Sequence, residues 1–173
     1  MLISDLGKVV TGKTPTTKDN TFWNDGIVPF VTPGDLQSTK HIFKTERCVS
    51  EKGKQAVKGV VLPPNAICVS CIGNIGYVGV TTQECISNQQ INSIIPNAGI
   101  SSDYVYYLVK SLWSYFKHYE GQSTTLSILN KTQFSKIEVP DHTEEQRNSI
   151  AKILSAIDDK IESNIQINDN LAA

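Results

Sequence analysis

From Thr143 to Ala173 the sequence contains neither proline nor glycine, and its apolar residues return on a heptad beat. Ile150, Ile157, Asn164 and Leu171 share one seam position, while Leu154, Ile161 and Asn168 share the other. Ile153, Ile165 and Ile167 broaden the stripe. Thr143-Glu-Glu-Gln146, just after Pro140, has the form of a capping box and marks the start of a helix. A helix could turn such a stripe onto its own domain. Asparagines in a seam instead act as polar residues do when they fix register against a partner helix, and this stretch carries no stop signal. The pattern therefore predicts a coiled-coil helix over 141–173 that needs a partner, which leaves 1–140 to form a globular domain.

The 173 residues suffice for one domain with a core plus this appendage. A net charge of −1 conceals a division: residues 1–137 hold 13 basic and 9 acidic side chains, and 138–173 hold 3 and 8. A mildly basic body thus carries an acidic tail, and such asymmetry suggests different partners. The hydrophobic fraction of 39% excludes a disordered chain. No apolar run approaches a membrane span, and the N-terminus lacks the pattern of a signal peptide, so a soluble cytoplasmic protein without membrane association is expected.

The first hundred residues read as short strands between turns. Expected strands are Lys8–Val10, Ile27–Val31, Val57–Leu62, Ala66–Ile72, Tyr77–Thr81 and Ile91–Ile95. A helix is expected from Ser102, with Val105, Leu108, Val109, Leu112, Trp113 and Phe116 on one face and Gly121 as its stop. The fold class expected is mixed α+β: a twisted, mostly antiparallel sheet with flanking helices, followed by the long helix.

Two motifs suggest chemistry and fail on spacing. Cys68-Val-Ser-Cys71 resembles half a zinc site, but Cys48 and Cys85 stand alone and positions three apart in a strand face opposite ways. Nothing in the sequence places His41, His118 or His142 beside a thiol. Gly73, Gly76 and Gly79 lack the Lys-Ser or Lys-Thr of a phosphate loop and precede a strand, so they read as a glycine-rich hairpin. No carboxylate pair, triad or metal cluster is evident, and no catalytic residue or metal ligand is assigned.

Several segments together resemble a known family. Gly12, Pro15, Phe22-Trp23, Gly26-Ile27, Pro29 and Gly34-Asp35 are similar to the opening motif of the specificity subunits of type I restriction-modification systems. Ile72-Gly73-Asn-Ile-Gly76 and Asn88-Gln89-Gln90 resemble their central motifs. Gly121-Gln-Ser-Thr124, Leu129-Asn-Lys131, Phe134, Ile137-Glu-Val-Pro140 and Glu145-Gln146, running into Ile150, Leu154, Asp158 and Ile161, resemble the passage from recognition domain into spacer helix. Pro140-Asp141-His142 departs from the more proline-rich junction usual there.

The resemblance implies a non-catalytic subunit that binds double-stranded DNA. Such subunits hold two target recognition domains, each followed by a helix, and this chain resembles half of one. It implies as partners type I methyltransferase subunits, which bring S-adenosylmethionine, and a restriction/translocase subunit, which brings ATP; no cofactor is expected here. Either a homodimer through the C-terminal helix or a second half of the same subunit would cover the seam of Ile150, Leu154, Ile157, Ile161, Asn164, Asn168 and Leu171. A helix from Glu144 to Ala173 would extend about 45 Å, or about 13 base pairs, between two half-sites.

Side chains able to meet base edges or phosphates cluster in the loops. They are Lys13, Thr14, Thr16, Thr17 and Lys18; Lys40 and His41; Asn74; Gln89 and Gln90; Lys117; and Gln122, Ser123 and Thr124. The competing reading is a coiled-coil protein-interaction adaptor whose globular part never meets DNA.

Overall fold

Runs of β-branched residues too short for helices build two sheets, whose central strands Val28–Val31, Ile67–Ser70 and Val78–Thr81 are buried on both faces. The computed structural model describes residues 1–37, 39–121 and 127–172, with side chains in the last helix described as far as Asn168. The larger sheet has five strands: β1 (Gly7–Thr11), β3 (His41–Ile42), β5 (Ile67–Ser70), β6 (Val78–Thr81) and β8 (Ile91–Pro96), in the order β1-β8-β5-β6-β3. The smaller places β2 (Val28–Val31) between β4 (Arg47–Val49) and β7 (Ile86–Ser87). Pairing is antiparallel except for β3 with β6 and β2 with β7. The mixed α+β class with a mostly antiparallel sheet is therefore as expected.

Alternation along the strands sorts side chains into two layers. Val9, Ile67, Val69 and Ile94 face a helical layer, whereas Val10, Cys68 and Ile91 face the other way with Val31 of the small sheet. Cys68 and Cys71 accordingly belong to different core clusters. The helical layer comprises α1 (Ile3–Leu6), α3 (Ser102–Ser111), α4 (Trp113–Gly121) and α5 (Lys131–Ser135); α2 (Glu51–Ala56) follows β4. Tyr104, Val105, Val109, Phe116 and Phe134 are the buried anchors of that layer.

Two expected elements differ. Val57–Leu62 is not a strand: Ser50 caps α2 by accepting from the Gly53 amide, the chain then makes a 3-10 turn over Lys58–Val60, and only Leu62 forms an isolated bridge, to Cys85 just before β7. The helix expected from Ser102 to Gly121 is broken at Leu112, so that α3 and α4 bury different residues under one cluster. The glycine-rich segment is a hairpin between β5 and β6, as read from the sequence. Gly76 there has φ of +98°, and a Cβ on it would meet the Phe116 ring at 2.8 Å, so both conformation and space demand glycine.

The last helix, α6, runs from Glu144 to Ala172. The Thr143–Gln146 capping box forms: the Thr143 amide donates to Gln146 Oε1 at 2.9 Å, and the Gln146 amide to Thr143 Oγ1 at 3.3 Å. Upstream, the Ile3 amide donates to the Ile137 carbonyl and the Val139 amide to the Met1 carbonyl, so the chain start clamps the segment entering the helix.

Candidate nucleic-acid interface

Turns that are far apart in sequence meet at one end of the large sheet. The Gly12 amide donates to the Ile91 carbonyl, and Thr14 Oγ1 donates to Gln89 Oε1 at 2.6 Å. This docking depends on close approach: a Cβ at Gly12 would sit 2.1 Å from the Asn88 carbonyl oxygen. The Gln90 carbonyl accepts from the Cys71 amide, the Cys71 carbonyl accepts from the Leu129 amide, and the Ser127 carbonyl accepts from the Gly73 amide. Asn88 Nδ2 donates to Gln90 Oε1 at 2.9 Å, which stiffens the turn. Lys13, Asn74 and Gln89 are exposed and Thr14 and Gln90 half-buried around this junction.

The same surface extends both ways. Thr16, Thr17 and Lys18 are exposed further along the first loop. On the other side the Ile75 amide donates to Glu120, which also pairs with Lys117 at 2.7 Å, and the Lys117 ammonium stands 4.4 Å from the Trp113 ring centre. Lys117 is thus beside Asn74, with its charge partly balanced. Gln122, Ser123 and Thr124 lie outside the described residues.

Lys40 and His41 are placed elsewhere and are not part of this surface. Lys40 is only 4% exposed. Its ammonium pairs with Asp103 Oδ1 at 2.7 Å, donates to Ser155 Oγ at 3.2 Å and to Tyr107 Oη at 3.3 Å, and lies 4.9 Å from the Tyr107 ring centre. Tyr107 in turn donates to Asp158 Oδ2 at 2.8 Å. Burial and that carboxylate push the phenol upward in pKa, so it remains a donor. The His41 amide donates to Glu162 at 3.2 Å and its Nδ1 lies 2.9 Å from the same carboxylate. Both residues were expected to meet DNA because a short polar run looks solvated in sequence. His41 opens the edge strand β3, Lys40 immediately precedes it, and both hold α6 against that edge.

That docking uses the polar side of α6. Among the described residues of α6 only Ile150 and Ala151, at its foot, reach the apolar core; beyond them Ser155, Asp158 and Glu162 make the contacts. The seam lies roughly 100° round the helix at 3.6 residues per turn. It is left uncovered: Leu154 is 37%, Ile157 53% and Ile161 49% exposed, with Ile153 beside them at 62%. Asn164 and Asn168 are exposed in the same register, and the Leu171 side chain lies outside the described residues.

Sequence reading also passed over Arg47, whose guanidinium carbon lies 3.9 Å from the Trp23 ring centre beside the first loop. The available signal was the scarcity of arginine, which occurs only at positions 47 and 147.

The chemistry on offer is recognition by hydrogen bonds and charge. Burial pushes the Cys68 and Cys71 thiols up to about 12, and the Cys85 thiol upward as well, so none of these three ionises near neutrality. Among the described residues no three His, Cys, Asp or Glu side chains are grouped as a metal site. No helix among them is long and apolar enough to cross a membrane.

A family model for the type I restriction modification DNA specificity domain matches residues 1–173. The chain is 34% identical over 173 residues to the type I restriction enzyme MjaIX specificity subunit of Methanocaldococcus jannaschii, covering 98% of this chain and 40% of that protein. It is 36% identical over 139 residues to the HindI specificity subunit of Haemophilus influenzae, covering 79% of this chain and 30% of that one. The chain therefore spans well under half the length of these relatives. In fold it resembles the crystal structure of a type I restriction-modification S subunit from M. genitalium, with a TM-score of 0.70 at 19% identity over 99% of this chain and 42% of that one.

Proposed function

The chain belongs to the type I restriction modification DNA specificity domain family, and from that premise we propose that it reads one half of a two-part DNA target. Residues 1–140 are the reading head and 141–173 the spacer, in a subunit that is itself non-catalytic. The observation that supports this most directly is the gathering of Lys13, Thr14, Asn74, Gln89 and Gln90 at one end of the sheet, fixed by main-chain hydrogen bonds between loops. Amides, hydroxyls and ammonium groups on stiff turns suit base edges and phosphates, and interfaces with DNA are built of such groups. Thr16, Thr17 and Lys18 extend that surface, and Lys117 borders it.

The uncovered seam supports a second helix as partner, from another copy or from the other half of a longer subunit. Exposed isoleucines on one stripe are what a coiled-coil interface leaves behind when one strand is alone. Methyltransferase and restriction/translocase subunits would join the assembled device on DNA in the cytoplasm.

Fluorescence anisotropy with duplex DNA across a salt series, on the chain alone and with its methyltransferase subunits, tests the reading. Binding that weakens steeply with salt is expected, and Lys13→Ala and Lys18→Ala should each lower the log–log slope by about 1. A chain that binds no DNA in either setting, yet still associates through α6, is the adaptor of the competing reading.

A further inference from the structure

Arginine is rare in this chain, and its two copies are used differently. Arg147 is occupied: Nε donates to the His142 carbonyl at 2.9 Å and the guanidinium pairs with Asp141 at 3.2 Å. Arg47 is exposed, and no hydrogen bond or ion pair to its guanidinium is found among the described residues. Its contacts are with ring faces, Trp23 at 3.9 Å and Phe30 at 5.8 Å from the ring centres.

The platform beneath it is well fixed. Trp23 Nε1 donates to the Thr16 carbonyl at 3.1 Å, and its ring meets Phe30 edge-on, with centroids 5.1 Å apart. Phe30 is buried and sits directly across from Arg47 in the β2–β4 pair. β4 is an edge strand of the small sheet. The guanidinium therefore rests on a platform fixed by the sheet and by the same loop that carries Thr14, Thr16 and Lys18.

A stacked guanidinium keeps its plane while its N–H edge remains free, and ordering it in advance reduces the entropy lost on binding. Phosphate needs only a point charge, which this chain supplies with lysine almost everywhere. A fork of fixed orientation suits a ligand with two acceptors side by side; phosphate oxygens offer such a pair, and among the base edges of DNA the O6/N7 edge of guanine in the major groove does. We infer that Arg47 reads a guanine of the half-site, with Trp23 as its positioning residue. This rests on the DNA-recognition reading proposed above.

Selection from a randomised duplex library, with the full chain in whichever assembly binds DNA, tests it. Arg47→Lys keeps the charge and loses the fork, and Arg47→Gln removes the charge. Both alter an exposed side chain, and an unchanged urea midpoint confirms that the fold persists. The parent protein should select a motif containing a guanine that both variants cease to prefer, by about tenfold or more, while the other positions keep their bases. An unchanged motif would mean that Arg47 merely shields Trp23 and Phe30, and would overturn the inference. So would a uniform loss across sequences with the salt slope of Arg47→Gln lower by about 1, the mark of a phosphate contact. A parent protein that selects a motif without a guanine overturns the inference alone; one that binds no DNA, or binds it without selecting a motif, removes the recognition reading and the inference together.

Discussion

Lys40 Nζ lies 2.7 Å from Asp103 Oδ1, and through the same ammonium the edge of the sheet is joined to both α3 and α6. A buried lysine is costly to desolvate unless it is paired, so these contacts are directional constraints on the helix more than a gain in stability. Replacing Lys40 with methionine leaves Asp103, Tyr107 and Ser155 without their shared donor. The expected loss is about 2–3 kcal/mol in urea denaturation, toward the low side because Asp103 is partly solvated. The salt slope for DNA should be unchanged, since this ammonium is not offered to phosphates; a slope lower by about 1 would return Lys40 to the interface.

The seam predicts association without a role in folding. Ile157→Glu with Ile161→Glu should give a monomer by light scattering where the parent self-associates. The urea midpoint of the variant, measured against the parent at low protein concentration, should hardly move because both side chains are about half exposed. A parent that is monomeric at high concentration, or a variant that still pairs, would refute the seam assignment for the isolated chain.

Gly12 is where the first loop meets the Asn88–Gln90 turn. Gly12→Ala brings a methyl group against the Asn88 carbonyl and should push Lys13 and Thr14 away from Gln89. DNA affinity is expected to fall by about tenfold, the loss of one or two good polar contacts. Affinity equal to the parent would show that the loop docks differently on DNA.

The buried thiols set a limit at alkaline pH. In the folded chain Cys68 and Cys71 keep their protons up to about 12, against an ordinary value of 9.0. Above pH 9 the unfolded chain holds fewer protons than the folded one, so stability falls as pH rises through this window. Each thiol should account for roughly 1 kcal/mol of the loss by pH 10, and the fall should be shallower in Cys68→Ala and Cys71→Ala. At pH 8 a thiol reagent should label Cys48 alone, the one half-buried cysteine, until denaturant is added.

How far the fold was legible in the sequence varies with how local its causes are. The α6 capping box and long helix, and the hairpin at Gly73 and Gly76, depend on residues a few positions apart and match the sequence reading. The break at Leu112 depends on Phe116 packing under Gly76, a contact forty residues away, and helical periodicity alone runs straight through it. Val57–Leu62 has strand-forming composition, yet the Ser50 cap and the turn at Lys58–Val60 settle its shape. For the candidate interface, Gln89, Gln90, Asn74 and the lysine loop are candidates by residue type, because exposed polar groups on turns need no partner to be noticed. The contacts of Lys40 and His41 with the last helix are not legible locally, because burial of a lysine depends on Asp103 and Ser155, which no local pattern brings near. The setting of Arg47 is equally non-local: strand pairing sets it across from Phe30, and Trp23 reaches it from the turn after Asn20–Phe22.

The quarter-turn between the pinned side of α6 and its open stripe separates two quantities that most amphipathic helices tie together. Ser155, Asp158 and Glu162 hold the helix against the head, and Leu154, Ile157 and Ile161 would govern its association with the proposed partner helix. A change in one set leaves the other nearly untouched, because contacts without shared partners add independently. The angle at which a head is carried can therefore drift while the joint is conserved, and the joint can tighten or loosen while the head keeps its aim.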